Sequence, residues 1–355
     1  MNYEIQIKKL LNIAIQEKAS DLHISVGHKP ILRITRRLIA IEKEKIIVPK
    51  DSEGMAFALM NEKQKEKLLR EKEIDFAYDL DNIARFRVNV FFQRGSISIA
   101  FRLIPSKIKT IEELNLPSIL HKFSEATQGF VLITGASSQG KSTTLASLIN
   151  EINNNREEHI ITIENPIEYV FKDNKSIINQ REVYQDTLSF SRALRSTLRE
   201  DPNVIMVGEL RDLETIATAI TAAETGHLVF ATLHTNSASQ TIHRLVDVFP
   251  SFQQNQIRAQ LTGSLLGIVS QRLIPQIEKG FIPACEIMFA NPAVNNLIRE
   301  NKIHEIPSVI ETSREEGMIS LNQSLCDLVV NKKIDQEMAL KYSLSPKDLI
   351  SRLKK

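Results

Sequence analysis

Between residues 85 and 103 apolar and polar positions alternate with period two, and the pattern then repeats in reverse. Phe86, Val88, Val90 and Phe92 share one face, and Ile97, Ile99, Phe101 and Leu103 do the same after a turn at Arg94-Gly95. The alternation predicts a hairpin with one apolar face, whose opposite face carries Arg85, Arg87 and Arg102. Near the start Ile7, Leu10, Leu11, Ala14 and Ile15 fall on one helical face, and "MNEKQKEKLLREKE" reads as a charged helix among short strands. Residues 1–103 are therefore expected to form a small α+β domain. Residues 104–117 carry two prolines and no steady period, the mark of a linker. Beyond it the rhythm changes. "GFVLITG", "HIITIE" (159–164), "NVIMVGE" (203–209) and "HLVFATLH" (227–234) are short apolar runs, separated by the helical stretches "LSFSRALRSTLRED" and "LETIATAITAAETG". Apolar strands alternating with helices predict an α/β domain over 118–290, with a parallel sheet covered on both faces. From about Asn291 to residue 355 the pattern is helical and polar.

Composition narrows the class. Lys+Arg 45 against Asp+Glu 43 gives a net charge of +2, with no long basic block, so neither nucleic acid nor an anionic membrane is expected as a partner. No apolar run approaches the roughly 18 residues of a spanning helix, and the start lacks a signal-peptide pattern. The two cysteines, Cys285 and Cys326, are too few for a disulfide framework or a four-cysteine zinc site; they are expected as core thiols of a cytoplasmic protein.

The chemistry gathers at strand ends. "GASSQGKSTT" follows the first apolar run and leads into the helical "STTLASLINEI", so it fits the P-loop pattern Gly135-x-x-x-x-Gly140-Lys141-Ser142 in its required strand-loop-helix context. Gly135 and Gly140 let the backbone wrap phosphates, with Ala136, Ser137, Ser138, Gln139 and Thr143 completing the cradle. Lys141 supplies a cation, expected at the surface of an open site, and Ser142 offers a hydroxyl to Mg²⁺. Ligands of such sheets lie at the carboxyl ends of the strands, and the next three runs end in Glu164, Glu209 and His234. Glu209, after Gly208, stands where a Walker-B carboxylate holds the metal, directly or through its water. In "IENPIE", Glu164 or Glu168 is expected to orient the attacking water, and His234 to report the γ-phosphate by hydrogen bonding. Arg192, Arg195 and Arg199 share a helical face, suited to a polar network or a subunit contact.

Together these segments resemble the secretion ATPases of the type II and type IV pilus systems, and within them the PilT-like pilus retraction ATPases. The resemblance spans nearly the whole chain. It is carried by "ASDLHIS", "ARFRVN", the P-loop, "TIENPIEYV" as an Asp box, "NQREV", "LRSTLREDPNVIMVGELRDLET" around Walker B, "TAAETGHLVFATLHT" as a His box and "AVNNLIRE" (293–300). It implies a RecA-like P-loop core behind a PAS-like N-terminal domain, ATP and Mg²⁺ as ligands, and a homohexamer that retracts pili. The resemblance further implies Glu168 as general base, Glu209 on metal and water, His227 and His234 as the His-box pair, and Arg87, Arg94 and Arg102 reaching a neighbouring subunit's nucleotide. The implied partners are an inner-membrane pilus platform protein and a second retraction ATPase, met at the cytoplasmic face of the inner membrane at the pilus base. Pilus extension, type II secretion, an accessory retraction role and a ring subunit without turnover are the competing readings. Extension and secretion relatives usually carry a longer N-terminal region and a tetracysteine module, which favours retraction here. The chain also departs from the family. Where the loop usually reads G-P-T-G-S-G-K-S, Ser138 replaces the middle glycine, and a residue with a Cβ adopts positive φ less readily. Asn165 and Asn203 stand for aspartates, which is expected to remove two negative charges near the site, and Asn295 replaces the arginine of the C-terminal motif.

Overall fold

The computed structural model describes residues 2–35, 37–81, 83–104, 107–278 and 280–354. Pro105 and Ser106 of the expected linker lie outside the described residues. The chain forms two units, one of Met1–Lys107 with Pro166–Val170, the other of Ile108–Asn165 with Phe171–Lys355.

In the first unit, strands β1 (Asp21–Ile24), β2 (Ile31–Ile34), β3 (Arg37–Ala40), β4 (Glu73–Leu80), β5 (Ala84–Gln93) and β6 (Ser96–Ile104) make an antiparallel sheet in the order β3-β2-β1-β6-β5-β4. Helix α1 (Tyr3–Gln16) buries Ile7, Leu10, Leu11 and Ala14, as its period predicts. α2 (Pro49–Leu59) and α3 (Glu62–Glu71) follow; the latter is the charged stretch, which buries only Leu68 and begins with an Asn61/Gln64 capping box. Phe86, Val88, Val90, Ile97, Ile99 and Phe101 are all core residues. The predicted turn is a two-residue loop between Gln93 and Ser96, with Arg94 at φ 48° and Gly95 at φ 77°. Two positive φ values match the right-handed strand twist.

The second unit is built on a seven-stranded sheet. β7 (Gly129–Thr134), β8 (His159–Glu164), β9 (Ile177–Glu182), β10 (Val204–Val207), β11 (Leu228–Leu233), β12 (Leu265–Pro275) and β13 (Phe281–Phe289) lie in the order β13-β12-β7-β11-β10-β8-β9. All neighbours are parallel except β12 and β13. Every residue of β7, β10 and β11 is buried, which is why these strands read as continuous apolar runs. α4 (His121–Glu125) and α5 (Lys141–Asn155) precede β8, α6 (Phe190–Thr197) follows β9, and α7 (Leu213–Glu224) joins β10 to β11. α8 (Ala238–Asp247) and α9 (Ser251–Ser264) lead into β12. Of the final helices, α10 (Pro292–Arg299) and α11 (Ile306–Thr312) join the main core through Val294, Ile298, Ile306 and Ile310. α12 (Leu321–Val330), α13 (Gln336–Tyr342) and α14 (Pro346–Leu353) close a separate cluster over Ile274, Ile282 and Ala284 of the β12–β13 hairpin. The α/β core and the helical C-terminus are as the patterning predicts. Cys285 and Cys326 are free and buried, and burial pushes the Cys285 thiol up to about 12.

The downstream half of the expected linker is folded. Thr110 and Glu113 cap each other's backbone at 3.0 and 3.2 Å, Leu116 N donates to Ile111 O, and Ile111 is buried. His121 at the start of α4 then reaches Glu112 with Nε2 (2.7 Å) and Glu151 of α5 with Nδ1 (2.5 Å).

Candidate nucleotide site

The phosphate loop leaves β7 at Thr134 and enters α5 at Lys141. Three of its residues have positive φ: Gly135 (146°), Ser138 (62°) and Gly140 (82°). Space adds to this at two of them, since a Cβ at Gly135 would lie 2.5 Å from the Gln271 carbonyl oxygen and one at Gly140 would lie 2.9 Å from the Gln271 amide nitrogen. Ser138 takes the left-handed conformation with its Cβ, at a cost of roughly 1 kcal/mol. Gly140 is the N-cap of α5 and offers no side-chain cap, so the first N–H groups of a 15-residue helix point toward the loop without a side-chain acceptor from that residue. An anion fits there.

Lys141 is not at the surface. It is 8% exposed, and its Nζ donates to Gly135 O and Ala136 O at 2.9 Å each, so the loop wraps its own cation. From this nitrogen a polar chain runs along the carboxyl ends of the strands. His234 Nδ1 lies 3.4 Å from Lys141 Nζ, its Nε2 lies 3.3 Å from Glu209 Oε1, and Arg211 Nε donates to Glu209 Oε2 at 2.7 Å. The Nε2–H tautomer of His234 satisfies both of its contacts. Thr232 Oγ1 bonds Gly208 O (2.5 Å) and Leu210 N bonds Thr232 O (3.1 Å), which ties the turn bearing Glu209 to β11, the strand that presents His234. The structure thus assembles Lys141, Glu209 and His234, which are far apart in sequence. Ser142 follows Lys141 in the first turn of α5; its hydroxyl and the Glu209 carboxylate are the hard oxygen donors that suit Mg²⁺. Among the described residues no group of three His, Cys, Asp or Glu is arranged to hold a metal alone.

Glu164 ends β8, is 6% exposed, and accepts from Thr162 Oγ1 (2.7 Å) and Gln180 Nε2 (3.1 Å). Glu168 falls within Pro166–Val170, which belongs to the first unit, so the two carboxylates of the Asp box sit in different units. His227 does not join His234. It precedes β11 at the opposite end of the sheet, a strand length of roughly 20 Å away, with Nδ1 2.9 Å from Ala222 O. The charge reading of Asn203 is overturned for the same reason. Asn203 lies before β10, where its Oδ1 accepts from His159 N at 2.8 Å, so an aspartate's loss there removes no charge beside the phosphates. Arg195, on the helix face read as a polar network or a subunit contact, pairs with Glu214 of α7 at 2.6 Å.

The hairpin arginines have carboxylates within their own unit. Arg102 Nε donates to Asp21 Oδ1 at 2.9 Å, Arg87 Nε lies 3.7 Å from Asp75, and Arg85 lies 3.0 Å from Asp79. Arg94 is exposed in the turn. Sequence patterning did not reveal Gln271, a 3% exposed amide on β12 whose Nε2 donates to Gln139 O (2.8 Å) and whose Oε1 accepts from Thr144 Oγ1 (2.7 Å).

Residues 2–315 match the family of type II/IV secretion system proteins. The chain belongs to that family. Among members of this secretion family, the type IV pilus retraction ATPase PilT of Pseudomonas aeruginosa is 44% identical over 97% of this chain and 100% of its own length. A twitching motility protein of Neisseria gonorrhoeae is 50% identical over 81% of this chain and 77% of its own. Among solved structures, that of the pilus retraction motor PilT with bound ADP superposes with a TM-score of 0.91 at 46% identity, covering 97% of this chain and 99% of that one. The secretion-family fold thus extends over 97% of the chain.

Proposed function

We propose that the chain is the ATPase motor of type IV pilus retraction, hydrolysing ATP to drive disassembly of the fibre. The ATPase part of the reading is carried by the polar chain Lys141–His234–Glu209–Arg211 at the carboxyl ends of the sheet strands, beside a P-loop, and the retraction part by the likeness to the PilT motors. Lys141 and the uncapped α5 N-terminus would hold the phosphates, while Ser142 and Glu209 would hold Mg²⁺, which when bound neutralises charge developing on the phosphates. His234, touching both Lys141 and Glu209, is suited to register the terminal phosphate. Glu168 would draw the proton from the attacking water, and Glu164, fixed by Thr162 and Gln180, would hold the Asp box in place. The working assembly is a homohexamer in which Arg87, Arg94 and Arg102 serve a neighbouring subunit's nucleotide. It would act at the cytoplasmic face of the inner membrane on a pilus platform protein, beside a second retraction ATPase. No helix among the described residues is long and apolar enough to cross a membrane. A deletion strain tests the direction of force: retraction predicts abundant surface pili without twitching, whereas loss of pili would assign the chain to extension.

A further inference from the structure

The loop has an internal tie and an external one. Inside it, the Lys141 ammonium holds the carbonyls of Gly135 and Ala136. Outside it, β12 runs past the last residue of β7: the pairing of these strands ends at Ser270 with Thr134, and β12 continues to Pro275. Beyond that point the Leu273 N–H faces no β7 residue, and the Gln139 side chain takes its place, accepting from Leu273 N at 2.6 Å. Gln271 completes the attachment by donating to the Gln139 carbonyl, and it is itself oriented by the Thr144 hydroxyl one turn into α5. Gln139 is thus gripped on both its backbone and its side chain by one strand. Its neighbour Ser138 is the one non-glycine residue of 135–140 with positive φ, a conformation that a Cβ disfavours.

We propose that Gln139 braces the phosphate loop against β12, through Leu273 and Gln271, and so offsets the tendency of Ser138 to leave its left-handed conformation. The proposal deepens the nucleotide-binding reading and rests on it. Gln139 and Gln271 are positioning residues: their amides bond loop and strand, and the loop backbone meets the phosphates. Without the brace, Ser138 relaxes toward negative φ in the free protein, and a nucleotide must restore the turn when it binds. Where residue 138 is glycine, positive φ carries little steric cost, and the brace has less to oppose.

This logic predicts coupling between adjacent positions. Dissociation constants for MgADP are measured by calorimetry on the full-length chain for the parent, Gln139→Ala, Ser138→Gly and the double variant, with melting temperatures as a folding control. Gln139→Ala removes the Leu273 N bond and keeps the Gln271 bond to the backbone; it is expected to weaken MgADP by roughly tenfold in the parent, the scale of one lost hydrogen bond that leaves a donor unpaired, and by no more than about threefold when combined with Ser138→Gly. With MgATP, the KM of Gln139→Ala should rise while kcat at saturation stays near the parent value, a split that general destabilisation does not produce. Parent-like MgADP affinity in Gln139→Ala, or an equal loss in both backgrounds, would overturn the brace while leaving the nucleotide site standing. Failure of the folded parent to bind MgADP at all would remove the nucleotide reading and the brace with it.

Discussion

Glu164 and Glu168 are four residues apart and equally plausible as a base from sequence alone, yet their surroundings differ. Glu164 already accepts two side-chain hydrogen bonds on one oxygen and is buried at the end of β8, the setting of a structural carboxylate. Glu168, beyond Pro166, is carried with the first unit. Glu168→Gln is therefore expected to bind ATP about as tightly as the parent while turnover falls by about 10²- to 10⁴-fold, the usual contribution of a general base. Single-turnover hydrolysis beside equilibrium binding checks this; the same phenotype in Glu164→Gln but not in Glu168→Gln would exchange the roles. Residue-level reading of the sequence found the chemical groups well but not always their location. His227 and His234 share a motif, but seven residues of extended chain carry them to opposite ends of β11. Lys141 was expected at the surface of an open site, whereas loop carbonyls five and six residues away enclose it, a feature of backbone path that no side-chain pattern encodes.

Strands buried on both faces announce themselves, and β7, β8, β10 and β11 are legible for that reason. β12 is not, because its run "LLGIVSQRLIP" is interrupted by Ser270, Gln271 and Arg272. Ser270 and Gln271 are buried where their partners are Thr134, Gln139 and Thr144, so the element that grips the phosphate loop looks polar just where it does so. β9 is an edge strand of mixed composition and lacks the signal of the central strands. In the first unit, pairing gathers Arg33, Asp21, Arg102 and Arg87 in one cross-strand row. Arg102 is 65% exposed at its side chain, and its partner Asp21 also has Arg33 at 3.7 Å, so Arg102→Ala leaves no isolated buried charge. That makes it a clean probe of action between subunits. Arg102→Ala should slow hydrolysis by about 10³- to 10⁵-fold with little effect on ATP affinity. Mixing it with Lys141→Ala subunits should restore activity at interfaces where an intact arginine faces an intact loop. Verified mixed assemblies that recover nothing would confine the arginines to their own chain.

The turn at 110–116 is a second element with a measurable signature. Burial alone would lower the His121 pKa, but hydrogen bonds to Glu151 and Glu112, together with their charges, raise it above its ordinary 6.5. Lys122 on the same helix lies over the Phe289 ring, and Arg156 at the end of α5 is engaged by Ser124 O, Ala126 O and Glu158, so the two glutamates are the charges facing the imidazole. A raised folded pKa means that the contact's stability is fully present below the unfolded pKa and is lost as pH rises through the folded one. Hydrogen exchange of the 110–116 amides, corrected for intrinsic rates, should therefore lose protection as pH rises above the ordinary histidine value of 6.5. His121→Gln should abolish that pH dependence; an unchanged profile in the variant would contradict the assignment.

At the scale of the molecule, the α/β core, the helical C-terminus and the motor family were all legible, because buried parallel strands and ordered motifs are properties of contiguous sequence. The arrangement that performs chemistry was only half legible, since it depends on which strand ends meet. The central claim is that Lys141, His234 and Glu209 form a working ATP site, and steady-state ATP turnover by the purified protein tests it most directly. Parent and Lys141→Ala are compared with and without Mg²⁺, with melting temperatures to show that both are folded. The account predicts Mg²⁺-dependent turnover in the parent that falls to background in Lys141→Ala. Turnover that persists in a folded Lys141→Ala protein, or that is absent from the folded parent, would contradict it.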